Sequence, residues 1–189
     1  VLGVQGAVFQ MIAHAFTSGA LFIAADYIYR RFATREIDNL GGIAKVMPIF
    51  GAFFILFAMS NVGLPGTSGF VGEFMVILAI FKAHMWIGLV AGLTLIISPA
   101  YTLWAVKRVI FSEPKGAVVN AMKNGVTEYK AGNKAGIINK LKDLDALEII
   151  IFILLAAPVL YFGFYPDPII STSHEASQAY VQHIITRVA

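Results

Sequence analysis

Residues 46–81 read VMPIFGAFFILFAMSNVGLPGTSGFVGEFMVILAIF, an apolar run with a single charged side chain, Glu73, and one interruption, Gly63-Leu64-Pro65-Gly66-Thr67-Ser68-Gly69. As one straight helix its ~36 residues would be roughly 54 Å long, well beyond a hydrocarbon core of about 30 Å. The proline and glycines of the interruption cannot continue a regular helix. The run is therefore either two membrane crossings or one helix broken inside the membrane. That choice fixes the side on which every later segment emerges.

The charges decide between the two. Val1 to Tyr29 holds only His14 and Asp26 as groups that can charge near neutrality and is closed by Arg30, Arg31 and Arg35; Met85 to Val106 and Ile149 to Pro166 hold no charge at all. With one crossing over residues 46–81, the connection carrying Arg30, Arg31, Arg35 and Lys45 shares a side with the one carrying Lys107, Arg108, Lys115, Lys123, Lys130, Lys134, Lys140 and Lys142. That gathers 12 of the 14 Lys and Arg, leaving Lys82 and Arg187 opposite; two crossings would divide them 6 against 8. Cytoplasmic loops carry the excess of Lys and Arg, so one discontinuous crossing is expected, with both chain ends outside the cytoplasm. The expected fold is all-α, a polytopic membrane helical bundle with one broken transmembrane helix. Its parts are a membrane bundle over 1–111 with the broken helix at about 46–82, a polar cytoplasmic loop over 112–145, a last transmembrane helix over 146–166 and an amphipathic tail over 167–189.

Composition agrees. Of 189 residues, 58% are hydrophobic and 13% charged, against roughly 25% charged in an ordinary soluble domain, and the mean hydropathy is +0.77. There is no cysteine, which excludes a disulfide framework, a thiolate metal or iron–sulfur site and a catalytic thiol. The net charge of +3 follows membrane orientation, and nucleic acid is not an expected partner. The opening VLGVQGAVFQMIAHAF has no initiator methionine, basic n-region or cleavage site, so it does not read as a signal peptide; the chain is expected to begin inside a longer protein. LPGTSGF lacks the Gly-Lys-Ser/Thr of a phosphate loop. His14, His84, His174 and His183 have no metal-ligand spacing.

Glu73 carries the sharpest functional signal. A carboxylate near the bilayer midplane costs several kcal/mol unless paired, hydrated or protonated, and such residues by default mark ion or proton pathways. The break beside it exposes backbone groups that must face protein or water, and breaks of this kind commonly sit at transport sites. Ser60, Asn61, Thr67 and Ser68 add polar side chains around Pro65. The alternative is a plain proline kink with Glu73 paired to a neighbouring cation. In the first segment Gln10, His14, Thr17 and Ser18 fall at i, i+4, i+7 and i+8 and share one helix face. His14 there suits a proton relay, the reading that the neighbouring Gln and hydroxyls favour, with hydrogen-bonded helix packing as the alternative. Thr94, Ser98, Tyr101 and Thr102 flank Pro99, where their hydroxyls either carry water or back-bond to carbonyls freed by the proline. Asp26 is expected to pair with the arginine cluster and Lys82 to snorkel to the surface.

The segments QMIAHAFTSGALFIAADYIYRRFATREIDNLGGI and LPGTSGFVGEFMVILAIF, with GFYPDPI near the C-terminus, resemble the proton-pumping, antiporter-like membrane subunits of respiratory complex I. The resemblance implies the C-terminal part of a fourteen-helix subunit of NADH:quinone oxidoreductase in a bacterial inner membrane, with no catalytic centre of its own. It implies that Glu73 is a protonatable residue on the broken helix and His14 a relay histidine. It implies other membrane-arm subunits and the lipid bilayer as partners; NADH, FMN, iron–sulfur clusters and quinone belong to the parent complex and none is bound by this chain. Ala33 departs from members that carry histidine before the Thr-Arg pair. Multisubunit sodium/proton antiporters and membrane-bound hydrogenases share the scaffold, and a purely structural membrane subunit is the third reading.

Overall fold

A computed structural model describes residues 1–124, 126–127, 137–138 and 142–188. Much of the expected 112–145 loop, with Lys130, Lys134 and Lys140, lies outside the described residues. The chain forms α1 (Leu2–Phe32), α2 (Ile43–Val46), α3 (Pro48–Asn61), α4 (Ser68–Ala83), α5 (Met85–Gly92), α6 (Thr94–Val106), α7 (Gly116–Asn124), α8 (Ala146–Phe164) and α9 (Asp167–Val188). A π-helical turn over Lys107–Phe111 follows α6. Two-residue strands at Val126–Thr127 and Ile137–Ile138 pair antiparallel. The class is an all-α membrane bundle: Leu2–Phe32, Met85–Lys123 and Ala146–Phe164 are long and apolar enough to cross a bilayer, and Pro48–Asn61 is a shorter apolar helix. The expected uninterrupted segment over 85–106 is divided by a turn at Leu93 into α5 and α6.

The interruption in the broken helix is built from two standard devices in series. Gly63 N–H donates to the Ser60 carbonyl at 3.2 Å and Leu64 N–H to the Met59 carbonyl at 3.0 Å, the paired bonds of a Schellman cap, with Gly63 at φ +73° as its left-handed residue. Leu64 to Thr67 then form a type II turn: Pro65 takes the second position, Gly66 the third at φ +92°, and Thr67 N–H closes it on the Leu64 carbonyl at 3.0 Å. The Thr67 hydroxyl donates to the same carbonyl at 2.7 Å, so Thr67 begins α4 without capping it by its side chain. α1 stops differently. Ala33 N–H donates to the Tyr29 carbonyl at 2.8 Å with Ala33 itself at φ +51°, an αL cap on a residue for which that backbone costs about 1–2 kcal/mol. Arg30 and Arg31 in the last turn of α1 meet the negative end of its dipole.

By contacts the chain divides into two compact units, one of Val1–Ser18, Met59–Pro99 and Leu155–Ala189, the other of Gly19–Ala58 and Ala100–Leu154. In sequence the first holds only Lys82 and Arg187 of the 14 basic residues and the second the remaining 12.

The second unit is cored by aromatic rings. Phe152, fully buried, stacks on Phe53 at 5.3 Å and meets Tyr27, Phe57 and Phe50 at 5.6, 5.8 and 6.2 Å between centroids. Beside this core the charges are closely matched. Arg31 donates to Glu148 Oε2 at 2.6 Å and to the carbonyls of Lys142 and Asp143 at 3.3 Å. Glu148 also accepts from Asp145 N–H at 2.9 Å, the return bond of a capping box at the start of α8. The Asp143 carboxylate accepts from Ile49 N–H at 2.8 Å and Phe50 N–H at 3.1 Å. It thereby caps α3 from a distant part of the chain, where Pro48 needs no partner of its own.

Candidate functional site

The site lies wholly in the first unit and is set by close approach of α1 and α4. Gly3 faces Ala79 and Gly6 faces Met75 and Val76; a Cβ on Gly72 would stand 2.8 Å from the Gln10 Cα. Small residues here bring the two helices to backbone distance, as membrane helix pairs commonly require. The Gln10 side chain is carried to Glu73, and its Nε2 donates to Glu73 Oε1 at 3.4 Å, near the outer limit for such a bond. The other carboxylate oxygen lies against the break: a Cβ on Gly63 would be 2.7 Å from Oε2. Glu73 is partly buried, and no ion pair joins it to Lys, Arg or His among the described residues. The alternative of Glu73 paired to a neighbouring cation has no partner there.

Around this carboxylate the polar groups are incompletely matched. Gln10 Oε1 and Ser68 Oγ are buried with no hydrogen-bond partner among the described residues. Ser68 and Gly72 are one helical turn apart on α4, and Gln10 Oε1 lies against Gly72. About two turns along α1 from Gln10, the buried Thr17 and Ser60 hydroxyls pair at 3.1 Å. A buried polar atom is ordinarily satisfied by protein or ordered water. Glu73 is a titratable carboxyl group with the buried Gln10 amide beside it.

The expected residues do not all gather here. Gln10, Thr17, Ser60, Thr67 and Ser68 do, and Pro65 shapes the turn while Asn61 closes α3 just before it. His14 is exposed and makes no side-chain hydrogen bond with the described residues; Ser18 donates to the His14 carbonyl at 2.6 Å. Tyr101 belongs to the second unit and is 59% exposed. Thr94 back-bonds to the Ala91 carbonyl at 2.7 Å. Asp26 pairs with Arg30 at 2.6 Å, and Lys82 is exposed. Sequence reasoning passed over Gln5, whose amide nitrogen contacts the Ile170 carbonyl at 3.2 Å and His174 Nδ1 at 3.1 Å, attaching α9 to α1. The signal available was a second glutamine, five residues before Gln10, in an apolar span.

Residues 1–98, which include the whole of this site, match the family model described as NADH:quinone oxidoreductase/Mrp antiporter, TM. The chain belongs to this family. Among curated members it is 43% identical over 165 residues to NADH-quinone oxidoreductase subunit M of Rhodobacter capsulatus, covering 87% of this chain and 28% of the relative. It is 32% identical over 184 residues to NADH-ubiquinone oxidoreductase chain 4 of Marchantia polymorpha, covering 97% and 33%. It thus spans about a third of the length of the curated relatives it matches. Among solved structures it is similar to a chain of respiratory complex I from Thermus thermophilus with bound NADH, at a TM-score of 0.79 and 29% identity over 96% of this chain and 34% of that one. The Mrp complex of Dietzia sp. shares the fold at a TM-score of 0.66 and 21% identity, over 89% of this chain and 36% of that one. The cap and turn around Gly63–Thr67 and the Gln10–Glu73 contact fall within the matched residues.

Proposed function

We propose that this chain is the C-terminal part of a proton-translocating membrane-arm subunit of NADH:quinone oxidoreductase. The observation that carries the proposal is the Glu73 carboxylate, held by one long bond from Gln10 at 3.4 Å against the broken-helix cap, with no cation paired to it among the described residues. A group so loosely held can take up and release a proton as the local field changes, because few fixed contacts favour either state. Gln10 positions it; Ser68, Ser60 and Thr17 line the way past it; His14 exchanges protons at a face turned to the rest of the subunit. The chain supplies no redox centre. Quinone reduction occurs elsewhere in the complex, which also holds NADH, FMN and the iron–sulfur clusters. The partners are the neighbouring membrane-arm subunits and lipid, and the setting is a bacterial inner membrane with the basic connections cytoplasmic.

The shared fold with an Mrp complex favours a second reading, a sodium/proton antiporter subunit. The test compares Glu73→Gln with Glu73→Asp in the full-length parent protein, assembly being checked first. NADH-driven proton uptake into inverted vesicles is measured with and without a sodium gradient. Loss with Gln and retention with Asp, independent of sodium, is expected. Normal uptake with Gln overturns the role of Glu73, and uptake that follows sodium selects the antiporter.

A further inference from the structure

A cleft of about 620 Å³ opens in the second unit, between the last turns of α1, the segment after it, α3 and the end of α6. Its size falls in the range of small-molecule sites, roughly 300–1,000 Å³. Its lining mixes two kinds of chemistry. Apolar side chains, Phe22, Ile28, Leu40, Phe54 and Val109 among them, line it together with Asp26, Tyr29, Thr34 and Arg35. Arg35 sits over the Tyr29 ring at 4.7 Å, which fixes the guanidinium at the cleft and leaves its N–H edges for another acceptor.

Among the arginines of this unit the ion pairs single out Arg35, while Lys107, Lys115 and Lys123 are lysines without a carboxylate partner among the described residues. Arg30 is matched by Asp26, Arg31 by Glu148, Lys45 by Glu113, Arg108 by Asp38 and Lys142 by Asp145. Arg35 has no carboxylate partner among the described residues. The nearest acidic neighbour in sequence, Glu36, accepts from the Asn39 amide at 2.7 Å. The cleft therefore joins apolar side chains to one unmatched guanidinium at the end of a membrane-spanning helix. That is the pattern of a phospholipid: an acyl chain for the apolar lining and a phosphate for the fork of Arg35. We propose that this cleft binds a bilayer phospholipid with an anionic headgroup, its phosphate on Arg35 and one acyl chain along Phe22, Ile28 and Phe54. The inference does not depend on Glu73 or on proton transfer.

The test uses the intact parent complex in mild detergent and phosphatidylglycerol carrying a photoreactive group at the end of one acyl chain. Crosslinked peptides are mapped by mass spectrometry. Label is expected on the cleft segments of α1, α3 or α6, and unlabelled phosphatidylglycerol should displace it at about one fifth the concentration that phosphatidylcholine needs. Arg35→Gln should lower labelling about fivefold, as expected for removal of one membrane-facing cation, while Lys82→Gln leaves it unchanged. No label at the cleft in the unaltered complex would mean that another protein segment fills it. Equal competition by phosphatidylcholine, or labelling unchanged in Arg35→Gln, would mean that the headgroup is not read. Each of these results overturns the proposal.

Discussion

Asp143 and Glu73 are both carboxylates in contact with α3 or the turn that follows it, and they are held in opposite ways. Asp143 accepts three backbone N–H bonds, from Ile49, Phe50 and Leu144, at 2.8 to 3.1 Å. Its neighbours Arg31 and Glu148 are tied to each other and to the backbone. Among the described residues Glu73 has one side-chain bond, at 3.4 Å, and Gln10 Oε1 and Ser68 Oγ are buried without a partner. A carboxylate that accepts several short bonds is fixed in one place; one with a single weak bond is free to move. The first arrangement holds the fold, and the second leaves room for function.

Substitutions can break that contrast. Arg31→Ala removes the partner of Glu148, whose side chain is 19% exposed, and frees two carbonyls. It should have the largest effect on stability, about 3 kcal/mol, read as a lower unfolding midpoint of the purified parent subunit, with uptake per assembled complex unchanged. Gly63→Ala places a Cβ at a backbone of φ +73° and 2.7 Å from Glu73 Oε2. It should cost about 1–2 kcal/mol from the backbone alone and, unlike Arg31→Ala, should slow uptake in complexes that still assemble. Asp143→Ala strips the cap from α3 and should cost roughly 1 kcal/mol, with uptake retained; an uptake defect larger than the stability loss would erase the division between the two regions.

The smallest effect concerns Lys142 and Asp145. Their hydrogen bond holds the Asp145 carboxyl below the usual carboxylate range and lifts the Lys142 ammonium above its usual value. The lowered Asp145 contributes stability that is present above an ordinary aspartate pKa, about 3.9, and is lost as pH falls through its folded value. The raised Lys142 contributes below an ordinary lysine pKa, about 10.4, and its share is lost as pH rises through its own folded value. Both groups are exposed, so Lys142→Met should lower the midpoint only slightly across the neutral range, and the difference should vanish at the acid end.

Local signals made the break legible: Gly63, Pro65 and Gly66 are residues that such caps and turns require, and their order already specifies a cap followed by a turn. The single crossing was legible because charge asymmetry is a property of whole connections and survives ignorance of packing. Gln10 could be placed on the right face by helical period, although its pairing with Glu73 across 63 positions could not. Asp143 as a cap for α3, and Arg31 with Glu148, were invisible for the same reason: each links parts of the chain about 90 to 120 residues apart, where no periodicity reaches. The left-handed Ala33 gave no signal because alanine disfavours that backbone. His14 shared the stripe's face with Gln10, but a shared face does not fix what lies opposite; its ring meets no described partner.

The central claim, that Glu73 changes protonation during turnover, is tested most directly by infrared difference spectroscopy of the intact parent complex as NADH is supplied. The account predicts a carboxyl C=O band that appears or disappears with turnover, shifts in deuterated water, and is absent from assembled complexes carrying Glu73→Gln. The same band persisting in Glu73→Gln, with proton uptake intact, would contradict it.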